Sequence, residues 1–257
     1  MIDTHSHLFA EEFKDDLEAC ILRCKENNVK KIILVGFSDE TNLKAQELSK
    51  KYDIFYPTAG VHPEECDNNY LDKFNRLVDF IKNNKVYAIG ECGLDYYWDQ
   101  TYKEEQKILF RMQCELAIKN DLPVIVHSRE AHQDTFDIIK SFNGKLKGVM
   151  HCYGGSLELA KEYVKLGFYI SLGGPLTFKN AKEPKRVCEG IDIIHLLVET
   201  DCPYLAPTPN RGKRNESSYV KYVLEEMAKI KNITVDECDK ITTNNAINLF
   251  KIYVENN

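Results

Sequence analysis

The chain has 257 residues, of which 43% are hydrophobic and 29% charged, as is typical of a globular protein with a sizeable core. It contains no run of about 18 apolar residues, which excludes a conventional membrane-spanning helix, and no secretory signal, so we expect a cytoplasmic protein without a membrane partner. The net charge of −6 excludes recruitment of nucleic acid by a global basic field, although bound metal ions can supply positive charge locally.

Eight short apolar runs alternate along the chain with longer amphipathic segments, and this alternation predicts parallel strands joined by right-handed helical crossovers. Eight such units in about 250 residues favour an α/β fold of the (β/α)₈ TIM-barrel type, with residues 1–257 forming one domain and the active site at the carboxyl ends of the strands. An open doubly wound sheet is the alternative. The predicted strands are Met1–Thr4, Lys31–Gly36, Phe55–Val61, Val86–Gly90, Pro123–Val126, Gly148–Met150, Phe168–Leu172 and Leu196–Glu199.

The segments between the runs have the spacing of amphipathic helices at residues 13–24, 71–81 and 220–230. Ser156 is predicted to cap a helix that stops at Gly167, and Thr234 with Glu237 predicts a capping box at the start of a final helix.

Five of the seven histidines lie at or just past the ends of predicted strands, together with two carboxylates. Because the carboxyl ends of parallel barrel strands meet at one rim, this set predicts a metal centre that suits Zn²⁺, Mn²⁺ or a similar divalent ion. Each signal alone is weak, since a single histidine can equally end a core strand. The predicted set is His5, His7, His62, Glu91, His127, His151 and Asp201, whereas His132 and His195 are interpreted as structural or surface residues.

Nine cysteines are scattered without a Cys-x-x-Cys pair, which indicates reduced thiols rather than a disulfide framework. Cys92, Cys152 and Cys202 each directly follow a proposed ligand. Because side chains alternate along a strand, we expect these thiols to point outward as small apolar groups rather than to bind metal.

Seven segments spread over the whole chain resemble the motifs of the TatD family of metal-dependent deoxyribonucleases, within the amidohydrolase-like barrels. They occur in the family's order. The segments are Ile2–Leu8, Gly60–Pro63, Ile89–Tyr97, Pro123–Arg129, His151–Gly155, Val198–Pro207 and Asn210–Glu216. Small departures are Cys202 and Gly154, where serine is more common in the family, and Cys92, where an aliphatic residue is common; none of them removes a ligand.

The resemblance implies two divalent metal ions, with Zn²⁺, Mg²⁺ and Mn²⁺ as candidates. One ion would be bound by His5, His7, Glu91 and Asp201, and the other by Glu91, His127 and His151, so that Glu91 bridges them. Two metals about 3.5–4 Å apart can neutralise a phosphodiester and activate water. The predicted catalytic residues are Asp201, as general base, and His62, near the substrate phosphate; the alternative for His62 is a supporting role.

Two loops are predicted to contact nucleic acid. Tyr96, with Tyr97 and Trp98, can stack on unpaired bases, or can instead pack the loop over the rim. Arg211, Lys213 and Arg214 can meet phosphates, or can form an ordinary solvated loop.

The leading functional hypothesis is therefore a deoxyribonuclease that acts as a 3′–5′ exonuclease on single-stranded DNA ends, working as a monomer. A second hypothesis keeps the metal site but changes the bond to an ester or amide, as in an aminoacyl-tRNA deacylase. A third, a non-catalytic metal or nucleic-acid binder, is disfavoured by the complete ligand set with its candidate base.

Overall fold

The computed structural model describes residues 1–98 and 100–253 and contains eight parallel strands over that range. Each strand pairs with its neighbour in the chain, in the runs β1-β2-β3 and β4-β5-β6-β7-β8. Single bridges, Ser6 to Cys202 and Ala59 to Ile89, join the two runs. The predicted barrel is thus confirmed. The strands are β1 (Ile2–Ser6), β2 (Lys31–Val35), β3 (Phe55–Thr58), β4 (Ile89–Asp95), β5 (Val124–Arg129), β6 (Gly148–Met150), β7 (Phe168–Leu172) and β8 (Leu196–Val198).

Helices follow the strands and cover the outside of the barrel. Short 3₁₀ turns precede several of them, including Pro63–Glu65 after β3 and Ser217–Tyr219. The α-helices in the described residues are α1 (Leu17–Glu26), α2 (Asp39–Lys51), α3 (Tyr70–Asn83), α4 (Lys103–Lys119), α5 (His132–Ser141), α6 (Leu157–Lys165), α7 (Lys182–Gly190), α8 (Val220–Lys231) and α9 (Val235–Phe250). None of the helices described here combines the length and apolar character that a bilayer crossing needs.

The barrel has two apolar layers. The larger one lies between the strands and the surrounding helices. The smaller one fills the barrel interior, where residues such as Ile33 and Ile125 pack with Leu249 and Phe250 of α9. Asn245 of α9 donates to the carbonyl groups of Ile193 and Leu196 at the start of β8. The last helix therefore closes the amino-terminal end of the barrel, and the opposite end stays available for a site.

Several predicted boundaries agree with the structure. The Ser156 and Thr234 hydroxyls accept hydrogen bonds from the third residue of α6 and α9, and Gly167 has a left-handed φ of 87° just after α6. The fourth strand was predicted too early: it begins at Ile89 rather than Val86. The residues before it bond to β3 only irregularly, through Tyr87 N–H to Pro57 and Ala59 N–H to Ala88. Glu91 therefore lies within β4, not after it.

Candidate metal centre

The seven predicted residues converge at the carboxyl rim of the barrel because of strand alternation. In β5 and at the end of β6, interior-facing Ile125 and Val149 are followed two residues later by His127 and His151. His5 also lies at this rim, in the part of β1 where the register shifts between Asp3 and Ser6. The His5 and His151 rings stack with centroids 4.0 Å apart. The rim thus holds a cluster that no single strand supplies.

Glu91 lies at the centre of this cluster and is 5% exposed. Its Oε2 lies 3.2 Å from His5 Nε2 and 3.8 Å from His7 Nε2. Its Oε1 lies 2.9 Å from His151 Nε2 and 3.1 Å from His127 Nδ1. The two carboxylate oxygens therefore face two different groups of imidazole nitrogens.

Asp201 completes the first group. Its Oδ1 lies 3.7 Å from His5 Nε2 and 3.5 Å from His7 Nε2, and those two nitrogens are 3.2 Å apart. Two ligands bound at about 2.1 Å lie about 3.0 Å apart at a right angle and about 3.4 Å apart at a tetrahedral angle. The spacing of these donor atoms is therefore close to the spacing that one shared ion imposes.

His62 is a further neighbour of the second group. Its Nε2 lies 3.4 Å from Glu91 Oε1, so this imidazole, too, is within ligand distance of the shared oxygen. Its other nitrogen, Nδ1, accepts a hydrogen bond from the Glu64 N–H at 3.2 Å. Neutral His62 therefore carries its proton on Nε2, which suits a hydrogen-bond donor better than a ligand.

The charges in the cluster depend on one another. Burial raises the pKa of Glu91, but the adjacent imidazoles of His151 and His5 outweigh it, so the pKa lies well below its usual value. Burial also opposes ionisation of His151, yet the Glu91 carboxylate raises the pKa of this imidazole well above normal. For His5 burial dominates, followed by repulsion from His151, and its pKa is lowered. The carboxylate of Glu91 and the imidazole of His151 therefore each favour the charged form of the other.

The donor set fits divalent metal ions. His5 Nδ1 and His151 Nδ1 are buried and make no hydrogen bond of good geometry within the part of the chain described, although Glu199 Oε1 lies 3.4 Å from His151 Nδ1. The fit rests on the converging donor atoms, because imidazole nitrogens and carboxylate oxygens are ligands that Zn²⁺, Mn²⁺ and similar divalent ions accept. Over residues 1–98 and 100–253, the groups of potential ligands contain histidine, aspartate and glutamate but no cysteine.

Asp201 is held in place by the closure of the barrel. The buried Asp3 carboxylate of β1 accepts hydrogen bonds from the N–H and the hydroxyl group of Thr200, at 2.9 and 2.6 Å. The Asp201 N–H donates to the carbonyl of His5, and Asn215 Nδ2 donates to the carbonyl of Thr200. The first strand thus fixes both His5 and the segment that carries Asp201.

Two acidic residues at the site were not predicted from the sequence. Asp95 Oδ2 accepts a hydrogen bond from His127 Nε2 at 2.8 Å, and Glu199 Oε1 lies 3.4 Å from His151 Nδ1. Both are 1% exposed. The available signal was period-two spacing: Asp95 is four residues after Glu91 in β4, and Glu199 is two residues after the interior-facing Leu197.

The aromatic segment after β4 divides into a buried and an exposed part. Tyr96 is 6% exposed, and its hydroxyl donates to Asp134 Oδ2 at 2.8 Å, which does not suit the base-stacking role predicted for it. Tyr97 and Trp98 are 48% and 64% exposed, and the Arg129 guanidinium lies 3.7 Å from the Tyr97 ring centroid. Tyr97 and Trp98 are therefore the members of the segment that can meet a ligand.

The basic loop is also divided. Arg214 donates two hydrogen bonds of 2.7 Å to Asp16 and lies over the Phe13 ring, so its charge is paired within the fold. Lys213 and Arg211 are exposed, and the Arg211 guanidinium lies 4.4 Å from the Phe178 ring centroid. Arg211 and Lys213 are thus exposed, whereas the partly exposed Arg214 is paired with Asp16.

Two of the three cysteines beside the proposed ligands, Cys92 and Cys202, lie in the outer apolar core, whereas Cys152 is only partly buried and lies outside it. Cys92 is fully buried in the outer core layer that also contains Cys114 of α4. Cys202 Sγ lies 3.1 Å from Ser6 Oγ, and burial raises the pKa of its thiol to about 12. The Cys152 thiol has a pKa raised well above normal by burial and then by the Asp201 carboxylate.

A (β/α)₈ barrel with imidazoles and carboxylates gathered around one buried glutamate defines the class of metal-dependent hydrolases. The family model described as "TatD related DNase" matches residues 2–251, and the chain belongs to this family. An uncharacterized metal-dependent hydrolase of Bacillus subtilis, YabD, is 46% identical, with 98% of this chain and 99% of that protein covered.

Solved structures agree with this assignment. The TatD homolog YJJV of Escherichia coli K12 is 30% identical, has a TM-score of 0.91 and covers 98% of both chains. A hydrolase of the TatD family from Entamoeba histolytica is 27% identical, with a TM-score of 0.84 and 97% of both chains covered. The protein is therefore a TatD-family metal-dependent hydrolase.

Proposed function

We propose that the protein is a deoxyribonuclease that uses two divalent ions to cleave phosphodiester bonds at single-stranded DNA ends, in the 3′–5′ direction. The observation that carries the proposal is the division of Glu91, whose Oε2 faces His5 and His7 while Oε1 faces His127 and His151. A carboxylate shared in this way is the device that holds two ions at the short separation that phosphoryl chemistry needs.

The first ion would be held by His5, His7, Glu91 and Asp201. The second would be held by Glu91 with His127 and His151, and Zn²⁺, Mg²⁺ and Mn²⁺ are the candidates. Bound ions supply neutralisation of the phosphate, a lowered pKa of the attacking water and stabilisation of the leaving oxygen.

Asp201 is the proposed general base. Its side chain is 14% exposed, whereas that of Glu91 is 6% exposed, so Asp201 is the more open of the two carboxylates. Burial opposes its ionisation, but the His7 and His5 imidazoles lower its pKa and keep it deprotonated at neutral pH. Oδ1 is the Asp201 oxygen nearest to His5 and His7, so Oδ2 is the oxygen that would accept the proton of the attacking water.

His62 is the proposed hydrogen-bond donor to the substrate phosphate. The Glu64 N–H occupies its Nδ1, so its Nε2 bears the proton and is directed toward the centre, where Glu91 Oε1 lies 3.4 Å away. Its side chain is 12% exposed at the rim, so an oxygen atom of a bound phosphate can reach it. It therefore stabilises negative charge on the phosphate without having to bind an ion.

Exposed aromatic and basic side chains on the segments that follow β4 and β8 support a nucleic-acid substrate with unpaired bases. Tyr97 and Trp98 offer rings for stacking, and Arg129 lies beside both of them. Arg211 and Lys213 are available for phosphate contacts. With a net charge of −6, binding depends on such local groups and on the ions rather than on the overall field.

The proposal is tested with protein stripped by a chelator and given back Zn²⁺, Mg²⁺ or Mn²⁺ one at a time. Each preparation is incubated with single-stranded DNA labelled at its 5′ or 3′ end, with the matching duplex and with charged tRNA. We expect single-stranded DNA to be shortened from its 3′ end, and only after metal is restored. The duplex should be shortened more slowly.

Release of the amino acid from charged tRNA, with intact DNA, would contradict the proposal and favour the deacylase. Asp201→Asn is the control for contaminating nucleases, since it is expected to bind DNA while losing cleavage. Cleavage at the same rate by this variant would also contradict the role given to Asp201.

A further inference from the structure

Asp95 lies at the end of β4 with both carboxylate oxygens in use. Oδ2 accepts the 2.8 Å hydrogen bond from His127 Nε2. Oδ1 accepts hydrogen bonds from the backbone N–H groups of Tyr97, at 2.8 Å, and of Trp98, at 3.4 Å. One buried side chain therefore contacts a metal-facing histidine and the exposed aromatic pair at the same time.

The contact with His127 determines which nitrogen of that ring can bind an ion. A carboxylate can only accept, so Nε2 must carry the proton, and the lone pair of a neutral ring then lies on Nδ1. Nδ1 is the nitrogen that lies 3.1 Å from Glu91 Oε1 and 3.4 Å from His151 Nε2. Asp95 thus holds His127 in the tautomer and orientation that the second ion requires.

The contact with the backbone determines where the exposed rings stand. The aromatic loop, residues 96–98, leaves β4 directly after Asp95, and the two N–H groups that Asp95 accepts belong to Tyr97 and Trp98. The same loop is tied to β5 by the Tyr96 N–H, which donates to the carbonyl of Arg129 at 3.0 Å. The Asp95 carboxylate is therefore hydrogen-bonded both to His127 and to the aromatic loop.

We propose that Asp95 is a positioning residue that couples occupancy of the His127 ion position to the placement of Tyr97 and Trp98. The proposal rests on the two-ion function above. It assigns the aromatic loop a conformation that depends on the ion, so that the stacking surface for an unpaired base is set when the second ion is bound.

Trp98 allows a direct test, because it is the only tryptophan in the sequence. Chelator-stripped protein is titrated with Zn²⁺, and ion binding is followed by calorimetry while Trp98 emission is recorded in the same titration. In the unsubstituted protein we expect two ions per chain and an emission change that follows the binding event lost in His127→Ala.

Asp95→Asn keeps the size of the side chain but presents an amide N–H₂ group to His127, which favours the opposite tautomer. We expect about a 10- to 100-fold loss of affinity at one ion position, the other being unchanged, and no emission change coupled to that position. Asp134→Asn is the matched control. Asp134 also contacts the aromatic loop, through the Tyr96 hydroxyl, but does not contact His127, so both ions should bind as before.

The outcomes separate this proposal from the proposed function. If the unsubstituted protein binds fewer than two ions, the two-ion function fails. If it binds two and Asp95→Asn binds both with unchanged affinity, the role of Asp95 is wrong while the function stands. If Trp98 emission in the unsubstituted protein does not change when the second ion binds, the proposed coupling is wrong. Far-ultraviolet circular dichroism verifies that each variant is folded.

Discussion

Replacement of Glu91 by alanine removes the one side chain that faces both groups of ligands. It should therefore lower the affinity of the protein for both ions. An ion present at 100 times its Kd stabilises the fold by about 2.7 kcal/mol, so two ions contribute about 5 kcal/mol. For a chain of this size that corresponds to a rise of about 10–20 °C in Tm. If each Kd rises about 100-fold, the stabilisation falls to about 0.4 kcal/mol per ion, and the rise shrinks to about 2–3 °C.

The assay measures Tm for each variant with Zn²⁺ and with chelator, together with metal content by elemental analysis. Taking the difference within one variant removes the cost of the cavity that alanine leaves. His127→Ala should keep about half of the rise, because His127 faces only Glu91 Oε1. Glu216→Ala replaces another buried acid, one that binds Arg23, and should keep the whole rise. An undiminished rise and full metal content in Glu91→Ala would refute the bridging role.

Further predictions concern the thiols, the base and the loops. Cys92→Ala and Cys202→Ala should each lower stability by about 1 kcal/mol through lost packing, with metal content unchanged. Asp201→Asn should bind single-stranded DNA and fail to cleave it, because the proton acceptor is lost. Lys213→Ala should reduce the salt dependence of binding by about 0.7 in log–log slope, and Trp98→Ala should weaken binding by about 1–3 kcal/mol.

Each of these has a contrary result. Loss of metal from a folded cysteine variant would place a thiol among the ligands. Loss of DNA binding in Asp201→Asn would mean that this carboxylate, or the ion that it holds, positions substrate as well. An unchanged salt dependence of binding in Lys213→Ala would mean that Lys213 does not contact a phosphate. Unchanged affinity in Trp98→Ala would mean that Trp98 does not stack on a base. Arg214→Ala serves as the comparison for the loop, since its guanidinium is already paired with Asp16.

The sequence was sufficient to predict the barrel and the convergence of the rim residues, because both follow from short-range rules. Alternation along β5 places His127 two residues after the interior-facing Ile125, and parallel pairing brings the ends of all strands to one rim. The arrangement around Glu91 follows from the same rules only in outline. Glu91 lies where the register of β4 against β5 shifts, between Ile89 and Cys92, and no spacing rule predicts such a shift or which carboxylate oxygen faces which imidazole.

The less accurate predictions concern side chains whose partners are distant in the chain. The burial of Tyr96 depends on Asp134, 38 residues away, and the pairing of Arg214 depends on Asp16, 198 residues away. A run of aromatic or basic residues gives no information about such partners. Asp95 and Glu199 were missed for a different reason: their spacing relative to Glu91 and Leu197 was visible, but an acid near the end of a strand has many possible roles.

The closure between the first and last strands has a consequence for biogenesis. Asp3 and Thr200 are separated by 197 residues, and their contact joins the strand that carries His5 to the segment that carries Asp201. Contacts of such long range form late, because the loop-closure entropy must be overcome first. A growing chain on the ribosome therefore displays its histidines well before it can hold metal at that position. We therefore expect metal binding at His5 and Asp201 to require a closed barrel.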